Sequence, residues 1–176
     1  MTSKTTRAWT RDSYLISTDA SLIPVAELNA AFASDTFYWT GPLPEAAMRE
    51  MLANSLCFGL YNTAPEGAPA GAAPKLIGFA RLVTDHVSFA YATDVWVDTA
   101  TQGKGLGRWL VGCVQEVIEG MPHLRRSLLF TGDWERSVPF YEREMKMQLM
   151  DGRRGGPLAI MQMKGRGHPD FLDKAA

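Results

Sequence analysis

Polar and apolar positions change period several times along the chain, and each change predicts an element. Residues 1–11 are polar and read as a loose tail, after which Tyr14 to Ser17 has the composition of a short strand. Leu22, Val25, Ala26, Leu28 and Phe32 recur at helical spacing, and so do Ala47, Met48, Met51 and Leu52 behind Pro44 and Glu45. Leu56–Asn62 and Lys75–Thr84 read as strands, separated by 63–74, an Ala/Pro/Gly-rich insertion without periodicity. From Val87 to Asp98 the residues alternate, with Phe89, Tyr91, Thr93, Val95 and Val97 set against Ala90, Ala92, Asp94 and Trp96, as in a long strand. An apolar helical stripe follows on Leu106, Leu110, Cys113, Val114 and Val117, and Gly120 and Pro122 end it. Ser127–Thr131 is the next strand, Val138 to about Met145 a short helix opened by Pro139, and Gln148–Arg153 and Leu158–Lys164 are the last strands.

That order predicts an α/β (α+β type) fold: a mixed, mostly antiparallel sheet of about six to seven strands flanked by about four helices. The strand–helix–strand connection from Val97 to Leu128 should be parallel and right-handed. With 176 residues, 46% of them hydrophobic, the chain is long enough for one cored domain over 12–165, followed by a tail over 166–176.

Composition narrows the function more by exclusion than by indication. A formal charge of −1 and a pI near 6.3 carry no basic excess, which argues against nucleic acid or an anionic membrane as partner. No apolar run approaches the roughly 20 residues that span a bilayer, and no apolar stretch follows Met1–Lys4, so a soluble, cytoplasmic protein is expected. Cys57 and Cys113 lie among apolar residues without metal-ligand spacing, and neither a metal nor a cysteine chemistry is assigned.

The chemistry concentrates in Gln102, Gly103, Lys104, Gly105, Leu106 and Gly107, between the long strand and the helix after it. Helix N-terminal N–H groups lack partners within the helix and lie at the positive end of its dipole, so a pyrophosphate fits there. Glycines allow the backbone the close approach and left-handed turns this needs. Spacing excludes two familiar phosphate loops. A P-loop requires Lys-Ser or Lys-Thr where Arg108 and Trp109 stand, and the dinucleotide fingerprint requires glycine at position 108.

The remaining pattern, Q/R-x-x-G-x-G/A after a strand, resembles the acetyl-CoA loop of the GNAT superfamily of N-acetyltransferases. The similarity extends to Asp94–Asp98 before the loop, to Gly78–Asp85 and Ser55–Tyr61, and to Phe140, Tyr141, Glu142 and Arg143, which resemble the family's F-Y-E-K/R helix. It spans roughly Tyr14 to Lys164 and implies the GNAT acyl-CoA N-acyltransferase fold. Two departures stand out: Trp134 replaces an asparagine common upstream of the tyrosine, and Met145, Lys146 and Met147 replace a Gly-Phe after it.

The resemblance implies acetyl-CoA as co-substrate. Backbone groups of Val95 and Val97 would pair with its pantetheine arm, and the N–H groups of Gln102, Gly103, Lys104, Gly105, Leu106 and Gly107 would hold its pyrophosphate, with charge from Lys104 and Arg108. It places Tyr141 near the CoA sulfur as general acid. Asp94 is the candidate base, with an ion pair to Arg81 as its alternative role, while Asp85 and His86 read as turn residues. Ser/His/Asp nucleophilic catalysis has no local signature, so direct transfer is expected. For the acceptor, a small-molecule amine, the candidates are Tyr38 and Trp39 in the aromatic loop and Arg153 and Arg154 in a late one. A non-catalytic acyl-CoA-binding module and a protein or peptide acetyltransferase acting on lysine or N-terminal amines are the competing readings. Edge strands of such sheets often pair, so a homodimer is also an expectation.

Overall fold

The computed structural model describes residues 6–37, 39–67, 69, 71–150, 159–164 and 166. Among them one sheet has the strand order β1-β2-β3-β4-β5-β6-β8-β7. Its strands are β1 (Ala8–Arg11), β2 (Tyr14–Ser17), β3 (Leu56–Asn62), β4 (Lys75–Thr84), β5 (Phe89–Val97), β6 (Arg126–Thr131), β7 (Gln148–Leu149) and β8 (Ala159–Lys164). The helices are α1 (Val25–Phe32), α2 (Glu45–Ala53), α3 (Leu106–Glu119) and α4 (Ser137–Met145). β1 pairs antiparallel with β2, β2 with β3, β6 with β8 and β7 with β8, whereas β5 and β6, joined through α3, are parallel as expected.

Among the described residues eight strands rather than six or seven are present, because β1 lies inside the stretch read as a tail. Its register with β2 runs from Ala8 opposite Ser17 to Arg11 opposite Tyr14. The turn Asp12–Ser13 between them puts Asp12 at φ 51°, a conformation a short polar side chain tolerates. The helices also begin where proline dictates. Pro24 and Pro44 precede α1 and α2, and their carbonyls accept the N–H groups of Leu28 (3.0 Å) and Met48 (2.9 Å). Leu22, expected inside α1, instead sits in a 3-10 turn capped by Asp19.

Residue contacts divide the chain into two groups, with β4 dividing after Arg81, β5 after Thr93 and α3 after Leu110. The first group holds β1 to β3, α1, α2, most of β4, the end of β5 and the start of α3. Its core joins Leu28 and Phe32 of α1, Met48 and Leu52 of α2, Cys57 and Tyr61 of β3, and Leu76 and Phe79 of β4. The Phe32 ring links α1 to β4, its centroid 4.6 Å from Phe37 and 6.3 Å from Phe79.

The second group holds the β4–β5 turn, the rest of α3, β6 to β8 and α4. Val111, Val114 and Ile118 of α3, Leu129 of β6 and Met161 of β8 are buried there, and so are Val138, Met145 and Met147 in and just after α4. The strands alternate cleanly. Ala90, Leu129 and Met161 are buried, while Phe89, Phe130 and Ile160 remain exposed. β5 begins two residues later than the alternation suggested, because the Asp85 carboxylate caps the preceding turn by accepting from the N–H groups of Val87 (2.9 Å), Ser88 (2.8 Å) and Phe89 (3.1 Å).

Candidate active site

The first half of the candidate site is a break in a strand. Asp94, inside β5, has φ 54°, so this residue leaves the pleat, as bulged residues do. A left-handed residue costs on the order of 1–2 kcal/mol, less for aspartate than for most. A buried network holds it. Arg81 Nε donates to Asp94 Oδ2 at 2.7 Å and Arg81 Nη1 to Ser55 Oγ at 3.2 Å, with the Arg81 and Asp94 side chains only 17% and 8% exposed. Beyond the break, Asp98 N donates to the Ile77 carbonyl at 2.8 Å, tying the end of β5 to β4. The register of β5 with β6 covers Phe89–Ala92, and β5 then runs on through Val95 and Val97. A strand that outruns its neighbour can take an extended ligand segment as the next strand.

The second half is the loop after β5. A 3-10 turn at Thr99–Thr101, capped by Asp98, delivers the chain through Gln102 to Gly103 (φ 83°) and Gly105 (φ 70°). Both glycines occupy the left-handed region, and the Gly105 carbonyl accepts Trp109 N–H at 3.0 Å to start α3. Gly107 differs. It lies in the first turn of the helix, and a Cβ there would meet only Val97 Cγ2 at an ordinary 3.9 Å. Neither backbone conformation nor protein packing therefore calls for glycine at 107, and a small residue, glycine or alanine as in the loop pattern, leaves the first-turn N–H groups uncovered.

Two residues of the N-terminal hairpin reach this loop. Arg11 Nη2 donates to the Lys104 carbonyl at 3.1 Å and its guanidinium lies 4.7 Å from the centroid of the Trp109 ring. Lys104 Nζ in turn donates to the Tyr14 hydroxyl at 3.3 Å. Sequence reasoning missed Arg11 by assigning it to a tail. The signal was Trp9 and Thr10, two strand formers, ahead of an Asp-Ser turn.

In the aromatic loop, expected from the sequence to face the acceptor, the ring of Phe37 is fully buried and closes the core against Trp96 of β5 at 5.6 Å. Trp96 Nε1 donates to Thr36 Oγ1 at 3.2 Å. Trp39 packs on Phe37 at 4.9 Å and is 44% exposed. The aromatic loop thus divides between core and surface. Tyr38, Arg153 and Arg154 lie outside the described residues.

Within the second group, Tyr141 stands on α4, partly exposed, with its ring edge-on to Phe140 at 5.2 Å. Its carbonyl accepts the N–H groups of Lys146 and Met147 and closes the helix. Lys146 makes this closure at φ 53°, where glycine is the usual residue, and Met147 is buried directly after it. The Met-Lys-Met departure therefore preserves the shape of a Gly-Phe helix end. Lys146 Nζ also reaches Glu119 at 3.0 Å, and the Glu119 carboxyl is held below its ordinary range, chiefly by the Gln115 side-chain hydrogen bond and then by Lys146. Asp85 is held lower still by the Ser88 hydroxyl and the turn N–H groups, which fits a turn cap. Among the described residues no group of three His, Cys, Asp or Glu side chains is arranged to hold a metal, and no helix is long and apolar enough to cross a membrane.

Comparison with known proteins agrees with this geometry. The model of the Acetyltransferase (GNAT) family matches residues 28–147. A protein of Gibberella zeae named "Putative acetyltransferase FG08082" is 36% identical over 172 residues, covering 91% of this chain and 95% of its own. The crystal structure of a protein from Xanthomonas campestris pv. campestris assigned to the GNAT family superposes with a TM-score of 0.59 at 28% identity, over 75% of this chain and 84% of that one. A GNAT family acetyltransferase from Elizabethkingia anophelis, solved with acetyl-CoA bound, shares the fold at TM-score 0.54 and 13% identity, over 88% of this chain and 99% of its own.

Proposed function

Since the chain belongs to the GNAT acetyltransferase family, we propose that it passes the acetyl group of acetyl-CoA directly to a primary amine of a small molecule. The observation that carries this reading is the continuous run from the broken strand at Asp94 to the left-handed glycines and the open first turn of α3. Val95 and Val97 would pair with the pantetheine arm, and the N–H groups from Gln102 to Gly107 would receive the pyrophosphate. Lys104 and Arg108 add charge.

The reaction moves two protons. An alkylammonium with a pKa near 10.4 must lose one to become a nucleophile, at a cost on the order of 4–5 kcal/mol at pH 7. The neutral amine then attacks the acetyl carbonyl, forming the C–N bond, and the C–S bond breaks. The amine sheds its second proton and the departing thiolate gains one, for which Tyr141 is our donor. Asp94 is our candidate base for the amine, acting directly or through water. Its ion pair with Arg81 supports a different role equally well, holding the strand break, and the pH profile of Asp94→Asn separates the two. A base role predicts a shifted acidic limb of kcat/KM; an unaltered limb leaves Asp94 the structural role alone.

The function itself is tested by free-thiol release from acetyl-CoA across amino acids, polyamines, aminoglycosides, arylalkylamines and lysine-containing peptides, with acetylated products identified by mass. Turnover on a small amine supports the proposal. Turnover confined to peptides would make the chain a protein acetyltransferase, and tight acyl-CoA binding without any turnover would make it a binding module.

A further inference from the structure

We propose that Arg11 and Tyr14, the two residues flanking the N-terminal hairpin turn, form a clasp that presets the glycine loop for CoA, with Arg11 as the principal positioning residue. The inference rests on the acetyl-CoA reading of the loop. Gly103 and Gly105 give that loop its left-handed turns, but the same freedom lets the unliganded chain sample many other conformations. Lys104, between the two glycines, is held at both ends. Its carbonyl accepts from Arg11 at 3.1 Å and its ammonium reaches the Tyr14 hydroxyl at 3.3 Å.

Arg11 and Tyr14 are register partners across the hairpin, so one rigid unit supplies both contacts. The hairpin is anchored in turn, because the Ser13 carbonyl in its turn accepts the N–H (2.8 Å) and hydroxyl (2.9 Å) of Thr63 at the end of β3. The clasp also grips α3, since the Arg11 guanidinium stacks over Trp109, one turn into the helix. Arg11 thus bridges the loop and the helix whose first turn the pyrophosphate would use. Arginine suits this task and lysine does not, because a planar fork can stack on an indole and donate in-plane to a carbonyl at the same time. Ordering of the loop before CoA arrives removes part of the entropy that binding would otherwise cost.

The test is calorimetric titration of CoA into the whole 176-residue chain, together with amide hydrogen exchange at 103–107 in the same chain without ligand. Arg11→Ala should weaken CoA about tenfold, the size expected when roughly one residue's backbone freedom must be lost on binding. Exchange across the loop should accelerate in that variant, with kcat at saturating acetyl-CoA little changed. Tyr14→Phe should weaken CoA less than Arg11→Ala. Arg11→Lys keeps the charge without the stacked fork and should stay close to Arg11→Ala; recovery to wild-type affinity would overturn positioning in favour of simple charge attraction. An Arg11→Ala affinity within twofold of wild type, or unchanged loop exchange, would overturn the clasp while leaving the acetyl-CoA reading intact. Failure of the wild-type chain itself to bind CoA would overturn both, and is recognised because every variant would then be equally inert.

Discussion

The glycine loop and the end of α4 both turn the backbone through the left-handed region, and they do so with different residues. At Gly103 and Gly105 no protein atom would meet an added Cβ within 4 Å, yet no side chain is present. At Lys146 a long side chain is carried at φ 53° and used to reach Glu119, and at Asp94 a short one is carried at φ 54° and used to bind Arg81. The difference teaches where each position is directed. At Lys146 and Asp94 the strained residue carries a side chain that makes an ion pair, whereas Asp12 and His86 carry theirs in turns. At Gly103 and Gly105 the backbone is left uncovered, which is what the proposed CoA contact requires.

Several substitutions sharpen or break this contrast, and the largest effect belongs to the proposed chemistry. Tyr141→Phe should lower turnover by about 10²–10⁴-fold, the usual contribution of a positioned proton donor, while acetyl-CoA binding is retained. An unchanged turnover number in steady-state assays would remove Tyr141 from the mechanism.

Next comes Asp94→Ala, which leaves the Arg81 guanidinium mostly buried without its carboxylate. Unfolding in urea should show a loss of about 3 kcal/mol. A loss within about 0.5 kcal/mol, typical of exposed surface changes, would mean that the pair does not hold the strand break.

Lys146→Gly should do the reverse. It removes the left-handed strain at the end of α4 and gives up only an exposed ion pair, so a net gain of roughly 0.5–1 kcal/mol is expected by thermal or urea unfolding. A measured loss would show that the Glu119 contact outweighs the strain.

The smallest effect is at the β4–β5 turn. Asp85 has its folded pKa lowered by the Ser88 hydroxyl and the turn N–H groups. Its contribution is therefore fully present above the ordinary carboxyl value of 3.8 and is lost as pH falls through the lower folded value. Stability of Asp85→Asn and wild type, followed from pH 6 downward, should converge; a constant difference across that range would contradict the turn-cap role.

Much of this was legible in the sequence, and the exceptions have physical reasons. The stripe Leu106, Leu110, Val114 and Val117 announced α3, and all four side chains are buried. Gly103 and Gly105 announced a loop that proline or a β-branched residue would not permit. Asp94 was visible as a residue and its Arg81 partner was foreseen, but the strand break was not, because alternation passes through positions 93–95 without interruption. Only φ reveals it. Arg11 was hidden for another reason. A four-residue edge strand carries too few alternations to stand out from a polar leader, and its partner Lys104 lies 93 residues away. The loop's supports are long-range contacts, which periodicity does not encode.

Gly107 offers the most direct test of the claim that these glycines serve a ligand. The loop pattern admits alanine at this position, so the test uses a larger, charged side chain: an acidic residue is favoured over glycine in the first turn of a helix, and Gly107→Glu should fold about as stably as wild type. Calorimetric titration of acetyl-CoA into both proteins should then find binding to the wild type and affinity at least about tenfold weaker in the variant. Equal affinity in a well-folded variant would contradict the placement of the pyrophosphate on the first turn of α3.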